Sequence, residues 1–100
     1  MSPYLITHNR DLLFKGDQVE QDYNFIDYWF GEPARPIHAR HYLRDERVTV
    51  DLPTPEGVSM SLDQLRAAFP PEILCYLQKR FDQIEVRTDD GYVELWSSRK

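Results

Sequence analysis

At 100 residues the chain has room for one domain, and a chain of this size buries about 60 to 65% of the surface its unfolded form exposes, enough for a core without disulfide or metal staples. A composition of 41% hydrophobic, 13% aromatic and 29% charged residues excludes a disordered tail. Seventeen acidic against twelve basic residues give a net charge of −5, which disfavours non-specific attraction to nucleic acid or anionic lipid, and the lone Cys75 excludes an internal disulfide or a multi-cysteine zinc site.

The first ten residues lack the charged-then-apolar layout of a signal peptide, and no run approaches the roughly 20 apolar residues of a membrane span. The expected setting is cytoplasmic, with residues 1–100 forming a single globular domain. Tyr4 to Thr7 and Asp11 to Phe14 read as two short strands around an Asn-containing turn at His8-Asn9-Arg10, ended by Gly16-Asp17. Asp22 to Phe30 is the densest aromatic stretch. As a strand it sets Asp27 among Tyr23, Phe25 and Trp29; as a helix it gathers Phe25, Ile26, Trp29 and Phe30 on one arc, with Asp22 as N-cap, Gly31 past the C-terminus and Pro33 beyond. That stop chemistry predicts the helix.

Beyond Pro36 the alternation is clean. Ile37, Ala39, His41 and Leu43 share one face, while His38, Arg40 and Tyr42 share the other; Val48 to Leu52 alternates again after the polar Arg44-Asp45-Glu46-Arg47, which predicts a hairpin. Pro53 to Gly57 predicts a loop, because proline lacks a ladder donor. Ser61 followed three residues later by Gln64 matches a capping box, so a helix should start there, with Leu62, Leu65 and Phe69 on its buried side. Pro70-Pro71 ends it and suits the first turn of a second helix, whose stripe is Ile73, Leu74, Leu77 and Phe81. Last comes a hairpin around Asp90-Gly91, a dipeptide suited to a two-residue turn, in which Val86 faces Leu95, Thr88 faces Val93 and Arg87 faces Glu94.

The predicted class is α+β, with short antiparallel hairpins and about three helices. From Gly57 to Ser97 the element order of strand, two angled helices and hairpin resembles the winged-helix variant of the helix-turn-helix. That resemblance implies Glu72 to Phe81 as recognition helix and Asp89-Asp90-Gly91 as wing tip. The outward face offers Glu72, Gln78, Lys79 and Asp82, and a wing tip with two aspartates would repel phosphate, so DNA binding is the second reading rather than the first.

Catalytic and metal chemistry find little support. His38 and His41 lie three apart on a strand and so point to opposite faces, which predicts no metal site. Cys75 sits in mid-helix without a neighbouring histidine, Ser61 is better used as an N-cap, and no nucleophile elbow or phosphate-binding glycine loop occurs, so neither catalytic residues nor a cofactor are expected. The leading function is a non-catalytic protein-binding module, an adaptor, inhibitor or regulator, engaging a protein partner or a second copy of itself. Its expected contact residues are Tyr28 and Phe30 of the aromatic stretch with Arg40, Tyr42 and Arg44 of the one locally basic region.

Overall fold

Four of the six strands come from the first 51 residues, where β-branched and aromatic residues alternate with polar ones and favour a pleated surface. The computed structural model describes residues 2–52, 61–88 and 91–98. Leu5–Lys15 (β1) and Gln18–Glu32 (β2) form a long hairpin, closed by Gly16-Asp17 with Gly16 at φ 66°, a conformation that costs glycine nothing. Arg35–Tyr42 (β3) and Arg47–Asp51 (β4) add two more antiparallel strands. After Leu62–Ala68 (α1) and Pro71–Gln78 (α2), the chain returns as Gln83–Thr88 (β5), parallel to β4, and ends with Gly91–Ser97 (β6) antiparallel to β5. The six strands lie in chain order β1-β2-β3-β4-β5-β6.

Parallel neighbours cannot be joined by a tight turn, so the β4-to-β5 connection must cross over, and it carries both helices. Those helices cover one face. Leu65 and Phe69 with Ile73, Leu77 and Phe81 pack on Phe30, Ala39, Val48, Val50, Ile84, Val86 and Leu95, and the ring of Tyr28 leans on Tyr76 and Phe81 at its margin. Cross-strand register explains the layer: Tyr28 lies opposite Ala39, Ala39 opposite Val50, Val50 opposite Val86, and Val86 opposite Val93.

Several sequence expectations hold. The Ser61–Gln64 capping box is formed in both directions, Pro71 begins α2, and the β3–β4 hairpin turns at the polar Arg44 to Glu46 stretch. The alternation at Ile37 to Tyr42 places Ala39 in the core and His38 on the opposite face.

Others are corrected. The protein is mostly β, with one six-stranded sheet and, among the described residues, two helices, not an α+β chain of about three helices. Asp22 to Phe30 is strand: pairing with β1 on one side and β3 on the other outweighs the local helical spacing, and its aromatics divide between the two sheet faces. No turn forms at His8 to Arg10, because β1 runs unbroken from Leu5 to Lys15. The winged-helix arrangement does not hold either, since β5 joins β4 in the large sheet and the stripe of α2, Ile73 and Leu77, is buried. In the C-terminal hairpin the register is displaced by two residues, so that Thr88 pairs with Gly91, Arg87 with Tyr92, Val86 with Val93 and Glu85 with Glu94. A shift of two preserves which residues share a face. The loop expected at 53–57, the strand at 58–60 and the wing-tip residues 89–90 lie outside the described residues.

Phe30 is fully enclosed at 0% exposure. Phe30→Ala should therefore lower unfolding free energy in urea by about 3–5 kcal/mol, whereas Cys75→Ser on the exposed side of α2 should change it by less than about 0.5 kcal/mol.

Candidate functional site: the open face of the sheet

With both helices on one side, the opposite side of the sheet is left open. Alternation along each strand decides what it carries: Asn9 from β1, Phe25, Asp27 and Trp29 from β2, His38, Arg40 and Tyr42 from β3, Thr49 and Asp51 from β4, Glu85 and Arg87 from β5, and Tyr92 from β6. Asp27 sits at the centre and is only 4% exposed, so its carboxylate must be paired to be tolerated. It is paired from the two flanking strands, β1 and β3. Oδ1 accepts from His38 Nε2 at 2.6 Å and Arg40 Nε at 2.9 Å, while Oδ2 accepts from Asn9 Nδ2 at 3.2 Å and an Arg40 guanidinium nitrogen at 3.4 Å.

His38 is held from its other side as well, with Nδ1 3.3 Å from an Asp51 carboxylate oxygen. An ionised carboxylate accepts and never donates, so both ring nitrogens are satisfied only when both carry a proton, as imidazolium. The Asp51 hydrogen bond raises the His38 pKa above its ordinary 6.5, burial opposes this, and Asp27 adds to the rise. Burial would lift the Asp27 carboxyl, but hydrogen bonds from Arg40 and then His38 overcome it and hold the group below its ordinary 3.8. Two anions and two cations thus form one compensated cluster across three strands, β2, β3 and β4.

Aromatic rings fix its position. Trp29 stacks on His38 with ring centroids 4.3 Å apart, and the Arg40 guanidinium lies 4.2 Å over the Phe25 ring, itself 5.5 Å from Tyr42. Nearby, Arg47 bonds both Asp45 and Glu85, the second contact at 3.0 Å offsetting the like-charged Glu85–Glu94 pairing in register. Beside the cluster lies a depression of about 140 Å³ lined by His38, Arg40, Tyr42, Thr49, Asp51, Arg87 and Tyr92. A second, of about 100 Å³, continues past Tyr42 to Asp22, Asn24 and Arg44.

Of the five expected contact residues, Tyr42 lines both depressions, with Arg40 in the first and Arg44 in the second. Phe30 is sealed in the core and Tyr28 is half-buried under α2, both on the helix side, so neither joins them. The spacing that seemed to expose Phe30 belonged to a helix that does not form. Asn9, Asp27, His38, Asp51, Arg87 and Tyr92 were not singled out as contact residues, although the strand alternation already put His38 with Arg40 and Tyr42. His41 lies on the other face, its Nε2 donating to the Asp45 carbonyl at 2.7 Å and its ring against Phe81, so the two nearby histidines do not converge. Among the described residues no group of three or more His, Cys, Asp or Glu side chains could hold a metal ion.

A wider depression of about 540 Å³ runs along α2, by Glu72, Cys75, Tyr76, Lys79 and Arg80. Its Arg80 guanidinium is already stacked 3.6 Å over Tyr76 and bonded to the Tyr76 carbonyl, and no polar network comparable to that of Asp27 converges there among the described residues. The open face is therefore the candidate site.

Removing the central anion while its cations stay should be costly: Asp27→Ala should destabilise the fold by about 3 kcal/mol in urea or thermal unfolding. The pH dependence follows from the two shifted groups. Asp27, lowered in the folded state, contributes stability that is present above 3.8 and lost as pH falls through its lower folded value. His38, raised in the folded state, contributes stability that is complete below 6.5 and lost as pH rises through its higher folded value. Unfolding midpoints should consequently decline as pH rises above 6.5, and His38→Gln should flatten that decline. Compared with protein-family models, with curated proteins and with solved structures, the chain finds no match.

Proposed function

We propose that the protein is a non-catalytic binding module that docks a protein partner on the open face of its sheet. One observation carries this: a face left bare by the helices presents Tyr92, 62% exposed, and Tyr42, 38% exposed, around arginines and a shallow depression of about 140 Å³. Tyrosine and arginine are the residue types most often found as energetic anchors of protein interfaces. The depression is smaller than the roughly 300 Å³ at which small-molecule sites begin, but it suits one inserted side chain.

Catalysis is disfavoured by the same network. His38 engaged as a donor at both nitrogens has no lone pair with which to act as a base, and three side chains occupy Asp27. The charge pattern favours a polypeptide over nucleic acid. Arg40 is matched by Asp27, Arg47 by Asp45 and Glu85, and His38 by two aspartates, which leaves a neutral mosaic rather than the cationic stripe that phosphates require.

The test places a photo-crosslinking residue at position 92 on the open face or at position 75 on α2, each in the full chain expressed in its source cell. A discrete protein adduct should form from position 92 and not from position 75. Tyr42→Ala should weaken that partner's binding roughly tenfold, about 1.4 kcal/mol. Adducts only from position 75, or binding unaffected by Tyr42→Ala and Arg87→Ala together, would overturn the assignment, and retention of single-stranded nucleic acid by the open face at physiological salt would replace it.

A further inference from the structure

The β1–β2 hairpin reaches beyond the rest of the sheet. Strand β3 pairs with β2 only from Phe25 to Glu32, and the Leu43 N–H reaches one residue further to the Asn24 carbonyl, so Asp11 to Lys15 and their partners Gln18 to Tyr23 extend as a two-stranded ribbon in an envelope 48 Å long. Two-stranded ribbons are marginal in water, and this one is apolar at its tip, with Leu12, Leu13, Phe14 and Val19 exposed by 39%, 49%, 60% and 52%. Strand β1 is also a sheet edge, with every second N–H and C=O turned outward along eleven residues. The edge is only partly blunted: its charges, Arg10, Asp11 and Lys15, leave the apolar triplets open, it has no proline, and the bulge at Leu13/Phe14 places its extra residue on β2, leaving β1 regular.

The edge is also self-complementary. Tyr4, Leu5 and Ile6 stand at one end, Leu12, Leu13 and Phe14 at the other, and five polar residues, Thr7 to Asp11, lie between with Asn9 at the middle. We propose that β1 pairs antiparallel with β1 of a second copy of this chain about a twofold axis through Asn9, joining two sheets into one of twelve strands. In that register Tyr4 meets Phe14, Leu5 meets Leu13 and Ile6 meets Leu12, each pair occurring twice, while Thr7 meets Asp11 as a hydroxyl donor to a carboxylate. A twofold perpendicular to the sheet keeps paired residues on one face only when their numbers sum to an even value, and here they sum to eighteen.

Charge does not oppose the pairing. Arg10, which falls near its symmetry mate, is already neutralised by Asp22 through two bonds of 3.1 and 2.8 Å, and His8 is bonded to Asn24. The area is adequate. Six apolar side chains, 39% to 60% exposed, offer on the order of 1,000 Å² of apolar surface across two copies, the scale of a specific interface before the backbone ladder is added. The projecting ribbon of each copy would lie along the Tyr4 to Ile6 edge of the other, which ends its isolation. The same axis puts both helix layers on one side and both open faces on the other, so the docking face doubles in width.

The experiment measures mass and register separately, in the full chain carrying Cys75→Ser. Sedimentation at micromolar concentration should give the mass of two 11.9 kDa chains, falling to one for Ile6→Lys with Leu13→Lys, whose circular dichroism should match the parent. For register, Thr7→Cys and Asp11→Cys chains should form a disulfide-linked pair under mild oxidation when mixed and none when oxidised separately, because only positions 7 and 11 stand opposite each other. A monomer at all concentrations would overturn the proposal. So would a dimer in which the mixed chains fail to link, or in which either chain links to itself.

Discussion

Because β4 and β5 run parallel, the chain between them has to leave the sheet, cross it and return, and this single requirement divides the molecule into a covered face and a bare one. The crossover supplies α1 and α2, and Leu65, Phe69, Ile73, Leu77 and Phe81 bury the layer of Ala39, Val48, Val50, Ile84 and Val86. Only residues of the right parity reach that layer. Their alternate neighbours are sent to the opposite side, which has no helices to cover it.

That second side would ordinarily be solvated and indifferent. Here β2 and β3 carry Phe25, Trp29 and Tyr42, and their rings sink Asp27 almost out of contact with water. A carboxylate so placed needs compensation, and it comes from Asn9, His38 and Arg40 on the two flanking strands, with Asp51 of β4 holding His38 from behind. The result is a rigid polar seam under the exposed Tyr42, Arg87 and Tyr92, and side chains held in place beforehand lose less freedom when a partner is bound.

The edges of the sheet follow from its order. With β1 outermost, the apolar residues at both its ends have a partner strand, β2, on one side and none on the other within a single chain. Asn9 links this edge to the face, since it is the middle of the polar stretch Thr7 to Asp11 of β1 and also donates to Asp27. Pairing at the edge and docking on the face would therefore meet at one residue.

How much of this was legible in the amino acids depends on the range over which each feature is decided. The Ser61–Gln64 cap, the proline start of α2, the β3–β4 turn and the faces of Ile37 to Tyr42 involve neighbours a few residues apart, and local chemistry settled them. The chain around Asp22 to Phe30 satisfies both periods locally, and only β1 and β3, at separations of up to 24 residues, turn it into a strand. The C-terminal hairpin shows the same division: local chemistry gave two antiparallel strands there, yet the pairing of Arg87 with Tyr92 was set in a sheet where Val86 also meets Val50. Asp27, His38, Arg40 and Asp51 lie up to 24 positions apart, and no spacing rule in one dimension joins them. The sequence by itself determined which residues alternate, cap and turn, because those are energies of adjacent groups; the tertiary structure alone decided which faces are covered and which charges meet, because strand pairing and burial are properties of segments brought together from a distance.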